Sequence, residues 1–426
     1  MQSPFFDIDA RLLALAEKAE AQAAAQFAAI DAVTEFNQHK VLAAFQKHRV
    51  SDSHFAATTG YGYGDRGREV LDAVFADALG AEDALVRHFI LCGTHALTLA
   101  LFGVLRPGDT MLAATGAPYD TLQSVIGTAG DGIGSLREWG VGYKQVELTE
   151  QGLPDHAAVQ AALQADDTIR LVHIQRSRGY SLRPSFTVDQ IGELIAAIRA
   201  VSPDVIVFVD NCYGEFAETR EPTAVGADLM AGSLIKNPGG GIAENGGYIC
   251  GRHDLVEQCA YRMTTPGLGR EVGASLGHNR TMFMGLFSAP HVTGEAIKTA
   301  LFCASLFKLL GFDTSPAFDA PRADIIQTVL LRDPKALVAF CRGIQRGAPI
   351  DAFVVPEAWE MPGYDDQVVM AAGAFTMGAS IELSADGPMR EPFAAFMQGS
   401  LNYHAGKLGV LLAAQSMLDE GFIDAL

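Results

Sequence analysis

Between residues 84 and 251, short apolar runs of strand length alternate with segments of helical periodicity. No other feature constrains the fold as much, because strands separated by helical crossovers pair in parallel and bury both sheet faces. Strands are expected at 84–90, 110–113, 142–148, 170–175, 205–210 and 228–231, and helices at 94–105, 154–164 and 188–201. The glycine-bounded run at 246–251 reads as a return strand near the sheet edge, which makes a mostly parallel, seven-stranded α/β sheet. Ahead of it, residues 1–57 read as a helical arm, with Phe27, Ile30, Val41, Leu42 and Phe45 at helical intervals. The glycine-rich stretch at 58–69 must be a loop. The large domain is therefore expected over 58–293. A linking helix at 294–311 should then lead into a smaller α+β domain over 294–426, with strands at 325–331 and 378–383 around a helix at 334–343.

Composition narrows the function classes. A 426-residue chain can bury a large core, and 49% hydrophobic with 19% charged residues is the balance of a compact enzyme. A formal charge of −19, with no Lys/Arg-rich run, argues against nucleic acid and anionic membranes as partners. Six cysteines without paired metal-ligand spacing read as reduced, buried residues, so no metal is expected. No signal-like N-terminus and no long apolar segment is present, which points to the cytoplasm.

Chemistry concentrates in two segments, VIVFVDNCYGEF at 205–216 and ADLMAGSLIKNPGGG at 227–241. In open α/β sheets ligands sit at the carboxyl ends of strands, which is where Asp210 and Lys236 fall. An amine buried among small residues has its charged form disfavoured and becomes nucleophilic. An aspartate and a lysine at successive strand ends suit a pyridine-based electron sink, the lysine forming the imine and the carboxylate keeping the ring nitrogen protonated. Taken singly, the aspartate could equally be a helix cap and the lysine solvated. A Gly-Thr turn opening a helix at Gly93 and Thr94 aims backbone N–H groups at a phosphate-sized anion, unless Thr94 merely caps that helix. Ser233 can add a hydroxyl. The stretch NPGGGIAENGG at 237–247 lacks both nucleotide-cradle patterns.

Taken in order, GTHA, PYDTL with Tyr119, FVDNCYGEF and SLIKNPGGG resemble the cysteine/methionine-metabolism branch of the fold type I pyridoxal-phosphate enzymes. More narrowly, they resemble the methionine γ-lyase-related, aluminium-resistance group, from the YGYGDRGRE loop to the C-terminal domain. The resemblance implies pyridoxal 5'-phosphate as cofactor, with Lys236 as the imine lysine, Asp210 as the ring-nitrogen partner, and Gly93, Thr94 and Ser233 on the phosphate. It implies that Tyr119 stacks on the ring and protonates a leaving thiolate. It also implies that Tyr61, Tyr63 and Arg66 reach the neighbouring subunit's phosphate in a homodimer or homotetramer. The implied activity is carbon–sulfur lysis of a sulfur-containing amino acid, of the cystathionine β-lyase or methionine γ-lyase kind, giving a 2-oxo acid and ammonia. Transamination, aldol cleavage or γ-replacement on the same scaffold is the alternative, as is a non-catalytic binding protein. The sequence departs from the pattern where Glu382 replaces the arginine that clamps the substrate carboxylate. Arg390 is the substitute candidate, and Arg176 and Arg178 are further candidates for holding the ring hydroxyl side or the substrate.

Overall fold

The computed structural model describes residues 5–361 and 366–423. In chain order its first half comprises α1 (Ala10–Lys47), α2 (Arg66–Ala78), β1 (Asp83–Arg87), α3 (Gly93–Val104), β2 (Thr110–Ala113), α4 (Asp120–Ile126), β3 (Gly142–Gln145), α5 (His156–Ala165), β4 (Ile169–Gln175), α6 (Val188–Val201) and β5 (Ile206–Asp210). Then come β6 (Leu229–Ser233), β7 (Gly247–Gly251), α7 (His253–Met263), α8 (Asn279–Leu309), β8 (Asp313–Ser315), β9 (Gln327–Leu330), α9 (Pro334–Arg346), β10 (Val368–Ala371), β11 (Ser384–Pro388), β12 (Ala394–Gln398) and α10 (Tyr403–Asp419). Two compact units emerge. One is Asn37–Ala289, and the other joins Met1–Phe36 to Pro290–Leu426.

The larger unit holds a seven-stranded sheet in the order β1-β7-β6-β5-β4-β2-β3. Strands β2 to β6 pair in parallel, and β7 runs antiparallel between β6 and β1. The α/β sheet expected from the sequence is thus the one observed. Its inner strands are apolar on both faces because both are covered, whereas the edge strand β3, Gly-Tyr-Lys-Gln, is largely exposed. Along β5, Val207 and Val209 enter one core cluster, while Phe208 enters another together with Leu171, Leu229 and much of α3. By the two-residue period of a strand, Asp210, Gln175 and Ser233 all lie on the α3 face, at strand carboxyl ends.

In the other unit, five strands run β10-β11-β12-β9-β8, antiparallel throughout. They share a core with α9, α10, the start of α1 and the end of α8. Here the structure revises the sequence reading. Residues 378–383 form turns rather than a strand, and β11 starts at Ser384. The cause is Glu382, whose buried carboxylate accepts the backbone N–H groups of Phe375 and Thr376, each at 2.9 Å, and folds the segment back. The linking helix begins at Asn279, not 294, and carries Pro290 inside it. An interior proline costs about 3 kcal/mol, and burial of Met282, Phe283, Leu286 and Ala289 offsets that cost. Helix α2 starts inside the expected glycine-rich loop because the Asp65 carboxylate accepts the Arg68 N–H at 2.9 Å and caps it.

Candidate active site

Strand β6 ends at Ser233, and the chain turns so that Lys236 follows with its side chain back over the sheet end. A β-carbon added to Gly93 would lie 3.1 Å from Cys212 Sγ, 3.6 Å from Ser233 Cβ and 3.9 Å from Lys236 Nζ. Gly93, Ser233 and Lys236, read separately in the sequence, therefore meet at one point together with Cys212, and only glycine leaves that point open. Helix α3 starts there. Its N-cap is Cys92, which makes no side-chain cap hydrogen bond. Thr94 does not cap either, since its hydroxyl pairs with Thr121 at 2.8 Å. An uncapped helix N-terminus of this kind is suited to an anion, and Ser233 lies beside it.

Asp210 is 7% exposed, and its Oδ1 accepts the Cys212 N–H at 3.1 Å. The chain then passes through Tyr213 at φ +73, a conformation that strains a bulky side chain. Asn237, next to Lys236, holds this bend by donating to the carbonyls of Tyr213 and Glu215, both at 2.9 Å. As a result Lys236 Nζ sits 4.0 Å from the centre of the Tyr213 ring. The sequence reading passed over Tyr213 and Cys212, although both stand in the segment it singled out.

The environment of Lys236 corrects one expectation. Burial disfavours its ammonium as anticipated, but the acidic groups around it, Cys212, Tyr213, Asp210 and Glu215, outweigh burial and raise its pKa above the ordinary lysine value. The Cys212 thiol is itself pushed well up by burial and by Asp210. Glu215 is fully buried, and its carboxyl is pushed up to about 8, burial opposing the stabilising hydrogen bond from Tyr248.

Tyr119 is half-buried at the N-cap of α4, its N–H donating to Gln175 Oε1 at 2.7 Å, its ring against Gly179 and tilted toward Tyr180 at 6.2 Å. Arg178 is buried at 2% exposure in the loop after β4. Arg176 serves another purpose than the one expected. It is fully buried and bonds Asn211 at 2.8 Å, Glu218 at 2.8 Å and Glu221 at 3.3 Å, which ties the loops after β4 and β5 together. Arg390, in the other unit, is half-exposed and paired with Asp366 at 2.8 Å, so its guanidinium is occupied on the surface. Tyr61 and Tyr63 are 67% and 61% exposed and stack on each other at 5.4 Å, and Arg66 is exposed at the start of α2. Their loop is anchored by buried Arg68, which donates to the carbonyls of Gly62, Gly273 and Glu271.

The family model for methionine gamma-lyase matches residues 12–418. The chain belongs to the methionine γ-lyase family. A curated relative from Bacillus subtilis (strain 168), the uncharacterised protein YnbB, is 49% identical over 409 residues, covering 96% of this chain and 97% of that one. A crystal structure from Clostridium acetobutylicum, of a candidate cystathionine β-lyase involved in aluminium resistance, is 51% identical, covers 96% of each chain and superposes with a TM-score of 0.94. A pyridoxal-5'-phosphate-dependent protein, YhfS from Escherichia coli, shares the fold at 18% identity, covering 92% of this chain and 97% of that one with a TM-score of 0.62. The family expected from the motifs is the one found. Among the described residues no helix is long and apolar enough to cross a membrane.

Proposed function

We propose that this member of the methionine γ-lyase family is a pyridoxal-phosphate-dependent carbon–sulfur lyase acting on a sulfur-containing amino acid. The observation that carries the reading is the convergence of Lys236, Ser233 and Cys212 on Gly93 at an uncapped helix N-terminus, with Asp210 at the neighbouring strand end on the same face. That set fits the cofactor's three handles, an amine for its aldehyde, a carboxylate for its ring nitrogen and N–H groups for its phosphate. Bound, pyridoxal phosphate supplies an aldehyde that takes up the substrate amine and a ring that accepts the electrons released at the α-carbon.

The chain's own groups do the rest. Asp210 would hold the cofactor's ring nitrogen, its carboxylate favouring the protonated ring that accepts the released electrons. Lys236 would carry the cofactor's aldehyde and, with its amine free, would take the α-proton. Tyr119, fixed through its N–H by Gln175, delivers a proton to the departing sulfur. Cys212, a neutral thiol at the mouth of α3, adds apolar surface and no charge. Tyr61, Tyr63 and Arg66 serve the partner subunit's phosphate in a dimer or larger homo-oligomer. Arg178 remains the candidate for the substrate carboxylate within this unit. Since Glu382 is occupied in anchoring a loop, its presence no longer recommends a non-catalytic role.

Protein incubated with pyridoxal phosphate and then desalted should stay yellow, lose that band on borohydride treatment with the reduced cofactor remaining attached to the chain, and release ammonia and a 2-oxo acid from at least one of cystathionine, cysteine, methionine and homocysteine. Colourless protein after desalting overturns the cofactor assignment. A yellow protein inactive on all four overturns the lyase.

A further inference from the structure

Strand β4 carries a histidine that neither packing nor the proposed reaction uses. His173 is 0% exposed, its ring centre lies 5.8 Å from that of Phe208 in an edge-on arrangement, and neither ring nitrogen has a hydrogen-bond partner among the described residues. Leaving a buried polar group unsatisfied costs about 1–3 kcal/mol, and an alkyl side chain would fill the same space without that cost. The position explains the residue. In the parallel register His173 lies between Ala113 of β2 and Phe208 of β5, and Gln175, two residues on, lies beside Asp210. His173 and Asp210 are thus diagonal neighbours on the α3 face, the face where Gly93, Ser233 and Lys236 meet. Strands about 4.8 Å apart with a rise of about 3.3 Å per residue put diagonal neighbours about 8 Å apart, a span that a ring N–H and a carboxylate close through one bridging water. The small Ala113 keeps the flank open. Burial, which outweighs the pull of Asp210, holds the imidazole pKa down to about 4, so the ring is neutral and has one N–H to give.

We propose that His173 is a positioning residue for Asp210, donating its ring N–H toward that carboxylate so that it stays ionised and aimed at the cofactor's ring nitrogen. The link belongs to the protein alone, while its consequence rests on the proposed cofactor. The two can fail separately.

In the cofactor-free protein, the His173 ring nitrogens are read by 15N NMR in the wild type and in Asp210→Asn. A changed tautomer balance or ring shift supports the link, and unchanged resonances overturn it, whether or not pyridoxal phosphate binds. In loaded protein, His173→Phe removes the donor but keeps the ring shape. Without that donor Asp210 draws the shared proton from the ring nitrogen. The pH midpoint of the visible band should then rise by about one unit, and the pyridoxal-phosphate dissociation constant should increase about tenfold. His173→Gln, which retains an N–H, should recover at least half of both effects. Identical band titration and affinity in wild type and His173→Phe, with far-UV dichroism showing both folded, overturn the proposal. Should His173→Phe not fold, the NMR comparison decides.

Discussion

Replacing Lys236 with alanine should abolish the visible band and lower the thermal midpoint of the cofactor-free protein, because the acidic groups around it favour its ammonium in the folded state and the variant removes that charge. Absorbance and calorimetry read the two halves of that expectation. A second residue-scale prediction concerns Glu215. Its folded pKa of about 8 lies above the ordinary glutamate value, so the stability it contributes through its neutral form is present at acid pH and lost as pH rises toward 8. Unfolding free energy should decline across pH 5–8 by an amount on the order of a few kcal/mol, and Glu215→Gln should flatten that decline. A denaturant series at pH 5 and pH 8 that gives equal slopes for both proteins would refute the assignment. Lys236 and Asp210 were legible in the sequence because each follows an apolar run, and strand ends are where ligands bind. Tyr213 and His173 were not. Tyr213 matters through a positive φ that no composition reveals, and His173 looks from the sequence like any polar residue inside a strand until the register sets it diagonal to Asp210.

Several elements of the larger unit were read almost to the residue, whereas β1 ends three residues before its expected limit and β6 two residues after. Strand β2 and helix α6 match their expected spans, and β4 and β5 differ by a single residue at the start. Elements that depend on one side chain were missed, as with α2, which starts where Asp65 caps it, and the 378–383 turns, which Glu382 dictates. The same distinction yields a prediction for α3. On the proposed function its first residue, Gly93, serves the ligand site rather than the helix. Gly93→Ala should gain up to about 1 kcal/mol of helix propensity and give part of it back to crowding against Cys212 Sγ at 3.1 Å. The cofactor-free thermal midpoint should therefore shift by no more than about 3 °C in either direction. Pyridoxal-phosphate affinity should nevertheless fall at least about tenfold, since the new methyl stands where the phosphate approaches the helix N–H groups. Fluorescence titration of cofactor into the two proteins measures this, and equal affinities would show that the anion does not enter at Gly93.

At the scale of the whole molecule, the unanswered feature of the chain is its exposed tyrosine pair. Two aromatic rings at 67% and 61% exposure, stacked on each other and held outward by the buried Arg68 anchor, present apolar area and an adjacent Arg66 guanidinium with no partner inside the described chain. A closed two-fold assembly would place each such loop on the other subunit's site, so that every site draws Lys236 from one chain and Arg66 from the other. This arrangement can be tested without a structure of the assembly. Lys236→Ala and Arg66→Ala proteins should each be nearly inactive alone. Unfolded together in equal amounts and refolded, half of the resulting dimers are mixed, and each mixed dimer contains one site with both residues intact and one with neither. The mixture should regain about a quarter of wild-type activity, with the gain following the fraction of mixed dimers measured by differential tagging. If the loop served its own subunit, no site in any dimer would be complete and mixing would restore nothing.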